Sequence, residues 1–355
     1  MKITLILQCC LRALLVTSTA FLVSCASLGP STIERDRMDY GLSLNTSIKQ
    51  QLLSNIVRLR YMEAPIFVDV ASVINQYSLS GHVEAGLGFN SSFTGDNTGS
   101  VGAGGRWEDR PTITYTPISG RKFSESLLTP IPPESLFALV QSGWSAELMF
   151  RLTVAQINGV ADADPPLQAD PGFREMLSVW TRLREARVIA LRRSNKDNEK
   201  ARIALYVNDV TLDEQTREDL SFLRKTLGLR QGAKEFTLSY GLISNDPDAL
   251  VVLTLSILDM MVDLAKLVDV PQQHIDEGRT YPTFVDTGIG GPLLQVHSSL
   301  EEPEMAYVAI RDRGHWFYID DRDLMSKRTF GVIQILLSLT DSGNAAKGPV
   351  VSIGG

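Results

Sequence analysis

Residues 77–90 read Tyr-Ser-Leu-Ser-Gly-His-Val-Glu-Ala-Gly-Leu-Gly-Phe-Asn. Tyr77, Leu79, Val83, Ala85, Leu87 and Phe89 alternate with Ser78, Ser80, His82, Glu84, Gly86, Gly88 and Asn90. A period of two sustained over about 13 residues is the mark of a strand with one apolar and one polar face. Residues 93–105 follow, rich in Gly, Asn, Asp, Ser and Thr, and their composition predicts a flexible turn or loop. Alternation resumes with Trp107, Pro111, Ile113 and Tyr115 against Arg106, Glu108, Arg110, Thr112, Thr114 and Thr116. The pattern predicts an amphipathic hairpin with a long loop. Pro111 belongs on a strand edge or at a bulge, because proline donates nothing to a ladder.

Working outward, residues 33–60 place Leu42, Leu44, Ile48, Leu52, Leu53, Ile56, Val57 and Leu59 at helical spacing, which predicts a helix with one buried face ending near Tyr61, ahead of Pro65. The β-branched run of residues 66–74, with Val68, Val70 and Val73, predicts a strand buried on both faces. Beyond the hairpin, the Pro-rich residues 129–133 mark a boundary, and residues 134–157 predict two helical pieces interrupted at Gly143. Residues 162–171, with three prolines and three aspartates, have the composition of a linker. The remainder predicts helices over 173–185, 213–227, 248–268 and 321–339, and strands over 188–192, 202–208, 235–241, 306–311 and 315–320.

Strands and helices mixed without strict βαβ alternation point to an α+β fold of mixed helices and short strands, with a Gly-rich amphipathic β-hairpin near the N-terminal third. The expected organisation is a signal peptide over 1–24, a tether over 25–32 and a helix, hairpin and helical segment over 33–160. A linker over 161–171, an α+β domain over 172–340 and a disordered tail over 341–355 complete it. The chain carries 34 Lys plus Arg against 41 Asp plus Glu, a formal net charge of −7, with 44% hydrophobic residues. That balance is ordinary for a globular chain and lacks the basic surplus of a nucleic-acid binder.

At the N-terminus, Lys2 and Arg12 precede an apolar run over residues 13–23 without an acidic residue, which matches the charged and apolar regions of an export signal. The run is too short for a bilayer-spanning helix, which needs about 20 residues. Leu22-Val23-Ser24-Cys25 closes it and resembles the lipobox of bacterial lipoproteins: a branched apolar residue, a tolerant position and a small residue ahead of the cysteine that is acylated and becomes the mature N-terminus. The resemblance covers residues 1 to about 27. It implies lipid attachment at Cys25, and because Ala26 and Ser27 supply no inner-membrane retention aspartate, it implies an outer-membrane address. Cys9 and Cys10 fall within the segment to be removed, which leaves Cys25 without an intramolecular disulfide partner. Acyl chains gaining about 0.8 kcal/mol per buried methylene would then anchor the protein. Removal of residues 1–24 takes two cations from 34, so 32 face 41 acidic residues and the mature net charge is −9.

Candidate chemistry in the mature chain is sparse. Phe284-Val285-Asp286-Thr287-Gly288 superficially resembles the aspartic-protease signature, which needs two aspartates sharing a proton. One copy would require a homodimer, and with Gly290, Gly291 and Pro292 downstream the simpler reading is a Gly-rich turn. Asp320, Asp321 and Asp323 depart from EF-hand spacing and, between a strand and an apolar helix, suit N-caps and macrodipole partners. Glu301, Glu302 and Glu304 suit a solvated loop. His82, His274, His297 and His315 are scattered without zinc spacing. Gly99, Gly102, Gly104 and Gly105 lack a phosphate-loop ending, no G-x-S-x-G elbow occurs, and Trp316, Phe317 and Tyr318 suit a core strand. No catalytic, metal-binding or cofactor-binding residue is assigned.

Three functions follow in order. The first is a non-enzymatic outer-membrane lipoprotein, anchored through Cys25, whose periplasm-facing α+β body binds another envelope protein or its own copies. The second is an oligomeric outer-membrane pore or secretion-channel subunit using residues 77–116. Its strands reach the roughly 9 to 11 residues of a membrane barrel strand, and its single hairpin needs a ring of copies to close. Such a ring is similar in outline to the lipoprotein ring of the curli exporter, without a shared motif. An amphipathic hairpin covering a soluble core ranks ahead of it, given Pro111 and the charges flanking Trp107. The third is an envelope hydrolase.

Overall fold

The computed structural model describes residues 28–74, 77–88, 98–109, 112–161, 171–194, 202–210, 212–285 and 291–341. The chain is mixed α+β. Two compact units divide between Leu52 and Leu53, inside helix α1 (Leu28–Arg60). The apolar face expected from Leu42 onward is narrower than the spacing suggests: Leu42 and Ile48 are exposed, whereas Leu53, Ile56, Val57 and Arg60, spaced by three and four, are buried. Met62, at φ 60°, turns the chain out of the helix.

Four strands come next: β1 (Val68–Ile74), β2 (Tyr77–Gly88), β3 (Thr98–Asp109) and β4 (Thr112–Pro117). They form two two-stranded antiparallel ladders, β1 with β4 and β2 with β3. This corrects two expectations. Residues 98–105 are strand rather than loop, because register with β2 prevails over a Gly- and Ser-rich composition of low β-propensity. β1 is not buried on both faces: Ser72 is exposed and Val68, Val70 and Val73 are only half-buried, and among the described residues the strand pairs with β4 alone.

A short helix α2 (Gly120–Phe123) runs into a π-turn (Ser124–Leu128), followed by α3 (Pro133–Gln141) and α4 (Ala146–Thr153), with Ser145 capping α4 through the Leu148 amide. The body then builds on a six-stranded sheet of β5 (Val154–Ile157), β6 (Val160–Ala161), β7 (Ile189–Ser194), β8 (Arg202–Val207), β9 (Glu235–Tyr240) and β10 (Ala249–Thr254). Its order is β6-β5-β10-β9-β8-β7, with β9 and β10 parallel and the other pairs antiparallel. Strands from both sides of residues 161–171 share this sheet.

Residues 248–268, expected as one helix, are instead strand β10 followed by α7 (Ile257–Ala265). The run Ala-Leu-Val-Val-Leu-Thr has no polar face to reveal a period, and it is almost wholly buried between layers. Ser256 and Asp259 then form a reciprocal capping box that starts α7. Helices α5 (Pro171–Glu185) and α6 (Glu214–Thr226) are clamped by a two-pronged pair, Arg182 Nε and Nη2 each donating to the Asp219 carboxylate at 2.7 Å. Phe137, Phe150 and Trp180 join α3, α4 and α5 through ring contacts of 5.3 to 5.6 Å.

After α8 (Gln272–Asp276) comes a three-stranded sheet, β11 (His297–Ser299), β12 (Ala306–Asp312) and β13 (His315–Asp320), in the order β11-β13-β12. The closing helix α9 (Leu324–Asp341) buries Phe330, Ile333 and Leu336 against the π-turn, α4 and α7, and Tyr307 of β12 meets the Phe330 ring edge-on at 6.4 Å.

Candidate functional site

The two two-stranded ladders share one register. Ile74 pairs with Thr112, and three residues further along each strand Tyr77 pairs with Asp109, after which pairing is unbroken to Gly88 and Thr98. Alternate rungs join apolar or small residues: Leu79 with Trp107, Val83 with Ala103, Ala85 with Val101 and Leu87 with Gly99. The rungs between them hold Ser78 with Glu108, Ser80 with Arg106, His82 with Gly104 and Glu84 with Gly102. Because strand positions alternate between faces, one ribbon face collects the apolar and small residues together with Asp109, the partner of Tyr77, and the other collects the polar set.

The stem obeys the same rule through a bulge. Val68, Val70 and Val73 pair with Pro117, Tyr115 and Ile113, while Asp69, Ser72 and Ile74 pair with Thr116, Thr114 and Thr112, the register shifting between Val70 and Ser72. One extra residue in β1 reverses its phase there; continued unshifted, the register of Val73 would place Val70 opposite Thr116. In the stem all six residues of β4 are exposed, Ile113 at 40% and Tyr115 at 61%, while Val68, Val70 and Val73 of β1 are half-buried.

Buried bonds fix the base of the ribbon. Asn55, 1% exposed, donates through Nδ2 to the Ile66 carbonyl at 2.8 Å and accepts from the Ile66 amide at 2.7 Å. The Ile118 amide donates to the Phe67 carbonyl at 2.9 Å, and Lys122 pairs with Asp69 at 3.2 Å. Buried Arg60 donates to Thr280 Oγ1 at 2.6 Å and to the carbonyls of Val268 and Tyr281, so its charge has acceptors on several sides. Burial lowers its pKa from the usual guanidinium value.

Next to this base, Tyr61, His274, His315 and Arg313 converge. The Tyr61 hydroxyl is 2.6 Å from His274 Nδ1, the two imidazoles meet edge-on at 5.2 Å, and the Arg313 guanidinium lies 4.3 Å above the Tyr61 ring while it also pairs with Glu63. Burial raises the Tyr61 pKa and lowers that of His274, which Arg279, His315 and Arg313 lower further. Both partners are therefore neutral near pH 7, and the cluster joins the end of α1 to α8 and the β12–β13 turn. His274 and His315 look scattered in sequence; the fold is what pairs them.

The other sequence candidates fall as follows. Asp323 accepts from the Ser326 amide at 3.0 Å and so caps α9, Asp320 accepts from the Arg322 amide at 2.7 Å, which with the Arg322 side chain lowers its pKa, and Asp321 pairs with Lys327 at 2.7 Å. Of the three, Asp323 alone caps the helix, while Asp320 and Asp321 hold the turn ahead of it through Arg322 and Lys327. Glu301 and Glu302 are exposed, Phe317 is fully buried in β13, and His297 lies 3.6 Å from Asp269. Cys25 and Asp286 lie outside the described residues. Among the described residues no three His, Cys, Asp or Glu side chains converge on a point, and no helix is long and apolar enough to cross a membrane.

The chain matches no protein family, no curated relative and no solved structure. A groove of about 380 Å³ lies beside the sheet edge at β7, lined by Phe137, Val140, Trp180, Arg184 and Leu191. It is mostly apolar and holds no nucleophile with an adjacent base.

Proposed function

We propose that the protein is a lipoprotein held at the outer membrane through Cys25, several copies of which assemble into a ring. Each copy gives the hairpin β2–β3 to a shared transmembrane β-barrel, a pore or secretion channel with the α+β body facing the periplasm. The observation that carries this reading is the unbroken register that puts apolar and small residues, with Asp109 at the stem end, on one face of a ribbon that has no third strand among the described residues. Self-association is then the form the interaction takes.

The dimensions agree. Each of β2 and β3 has 12 residues. At about 3.3 Å per residue that is roughly 40 Å of strand, and a tilt of about 40° reduces its height to about 30 Å, the thickness of a bilayer's hydrocarbon core. A lone two-stranded ribbon is marginal in water and leaves two open edges. In lipid those edges must be closed, and hairpins from neighbouring copies close them with the same alternation. Tyr77 and Trp107 stand near the stem end of the 12 rungs, where barrels carry an aromatic girdle.

The test uses the full-length lipidated protein extracted in mild detergent. A native mass several times that of one chain, together with release of K⁺ from loaded anionic liposomes, is the expected result. A monomer that releases nothing overturns the proposal.

A further inference from the structure

We infer that the free edge of the six-stranded sheet is a docking site for an extended, acidic segment of a partner protein, which adds to β7 as a further strand and meets Arg184, Arg187 and Arg192. The inference stands on the body alone and does not depend on the ring.

Strand β7 ends the sheet, pairing among the described residues with β8 alone. The Asn208 amide donates to the Val188 carbonyl at 2.7 Å, in the register that continues along the two strands. Ala190 and Arg192 therefore turn their backbone groups toward β8, and Ile189 and Leu191 turn theirs outward. The Leu191 amide is met there by Gln141 Oε1 at 3.0 Å, a side chain standing where a strand would lie. The carbonyls of Ile189 and Leu191 accept no hydrogen bond among the described residues. Such an edge binds an extended peptide through main-chain bonds, while pockets for alternate side chains select it.

The surroundings of the edge specify those side chains. On one face lies the groove of about 380 Å³, walled by buried Trp180, Val140 and Leu205 beside Leu191. A strand laid along β7 sends every second side chain toward it, and an apolar one fits. Arg192, which alternates with Leu191, is exposed with its guanidinium 4.4 Å from the Tyr206 ring centre. The groove itself carries Arg184 and Arg187 against Glu185. Arg184 is tied through Nη1 to the Val140 carbonyl at 2.9 Å, and neither it nor exposed Arg187 pairs with a carboxylate among the described residues. In a chain of net charge −7 this is a local cationic excess, complementary to acidic residues between the apolar ones.

The backbone at Arg187 is the second, independent observation. Helix α5 ends with the Arg187 amide donating to the Arg184 carbonyl and the Val188 amide to the Leu183 carbonyl, both at 2.9 Å, which closes a Schellman turn. Arg187 occupies the left-handed position of that turn, at φ 58°, where glycine is the unstrained residue. The fold gains nothing from an arginine there. Its exposed, unpaired guanidinium beside the groove gives the strained position a use in binding.

The experiment pans a phage-displayed library of random ten-residue peptides against the full-length lipidated protein in mild detergent, then measures the affinity of the enriched peptides for variants. Enrichment of sequences alternating apolar residues with Asp or Glu is expected. Arg187→Gly should weaken their binding about ten-fold while the melting temperature stays the same or rises, and Arg187→Lys should retain part of the affinity. Methylating alternate backbone amides of the peptide should abolish binding. No enrichment, enrichment without acidic residues, or affinity unchanged in Arg187→Gly overturns the inference; binding that survives methylation in either phase overturns strand addition. An empty selection together with a native mass reduced by Arg187→Gly would make a second copy the occupant and overturn the partner.

Discussion

The hydroxyl of Tyr61 lies 2.6 Å from Nδ1 of His274, buried where helix α1 hands the chain to the ribbon. Burial first, then the charges of Arg279, His315 and Arg313, lowers the His274 pKa below its ordinary 6.5. Between the folded and unfolded values the unfolded chain binds more protons, so this histidine's stabilising contribution is complete above about pH 6.5 and is lost as pH falls from there through the folded value. Melting temperature should decline between pH 7 and pH 5 more steeply in wild type than in His274→Asn, which keeps an acceptor and cannot charge. Parallel profiles for the two proteins would refute it.

Asn55 is expected to control the ribbon's base. Asn55→Ala removes both side-chain bonds to Ile66, and because Ile66 is itself exposed, water restores part of the loss. The cost is about 1 to 2 kcal/mol of unfolding free energy by denaturant titration. Amide exchange at Phe67 and Val68 should accelerate at the same time; unchanged exchange would show that the stem is held by other contacts.

How much of this was legible in the sequence depended on whether a segment has two distinguishable faces. β2 shows its alternation openly, and the polar and apolar sets of the candidate site could be written down from it. The first half of β3 could not be assigned, because Thr98 to Gly105 is dominated by Gly, Ala and Ser, which disfavour strands, and pairs with β2 all the same. β10 was hidden for the opposite reason, being apolar on both faces. The register shift between Val70 and Ser72 is a one-residue event with no compositional trace, although it decides which stem residues share a face with Val73. Nor could spacing reveal that His274 and His315, 41 positions apart, meet at the ribbon's base.

Phe330 tests the body. Fully buried on α9 and in edge contact with Tyr307, it should cost about 3 to 5 kcal/mol on substitution by alanine, the range for removing a buried phenyl ring. Unchanged thermal stability of Phe330→Ala would mean that α9 is not an integral part of the core.

Lipidation at Cys25 rests on the Leu22-Val23-Ser24-Cys25 sequence. Cys25→Ser should accumulate as uncleaved precursor without incorporated fatty acid. Equal palmitate labelling of mutant and wild type would remove the anchor from the proposal.

Val83 separates a membrane ribbon from a soluble one. It stands in register with Ala103 near the middle of β2, on the apolar rungs, while the neighbouring residue Glu84 stands on the polar ones. If the apolar face meets lipid, Val83→Arg costs each copy about 2 to 4 kcal/mol of membrane insertion. The body, whose core is built by the six-stranded sheet and its helices, is untouched. If that face instead packed on protein, the same arginine would be an unpaired buried charge and would destabilise the body itself. Because the stem strand β4 is exposed throughout and, among the described residues, neither ladder has a third strand, the first outcome is expected. A lipid-free chain beginning at Ala26 should melt at the same temperature with and without Val83→Arg, whereas the full-length variant should lose detergent-stable oligomers and liposome release. Glu84→Arg, one residue away on the polar face, should retain the oligomers. A lowered melting temperature of the lipid-free Val83→Arg chain would return the hairpin to the soluble core and sink the pore.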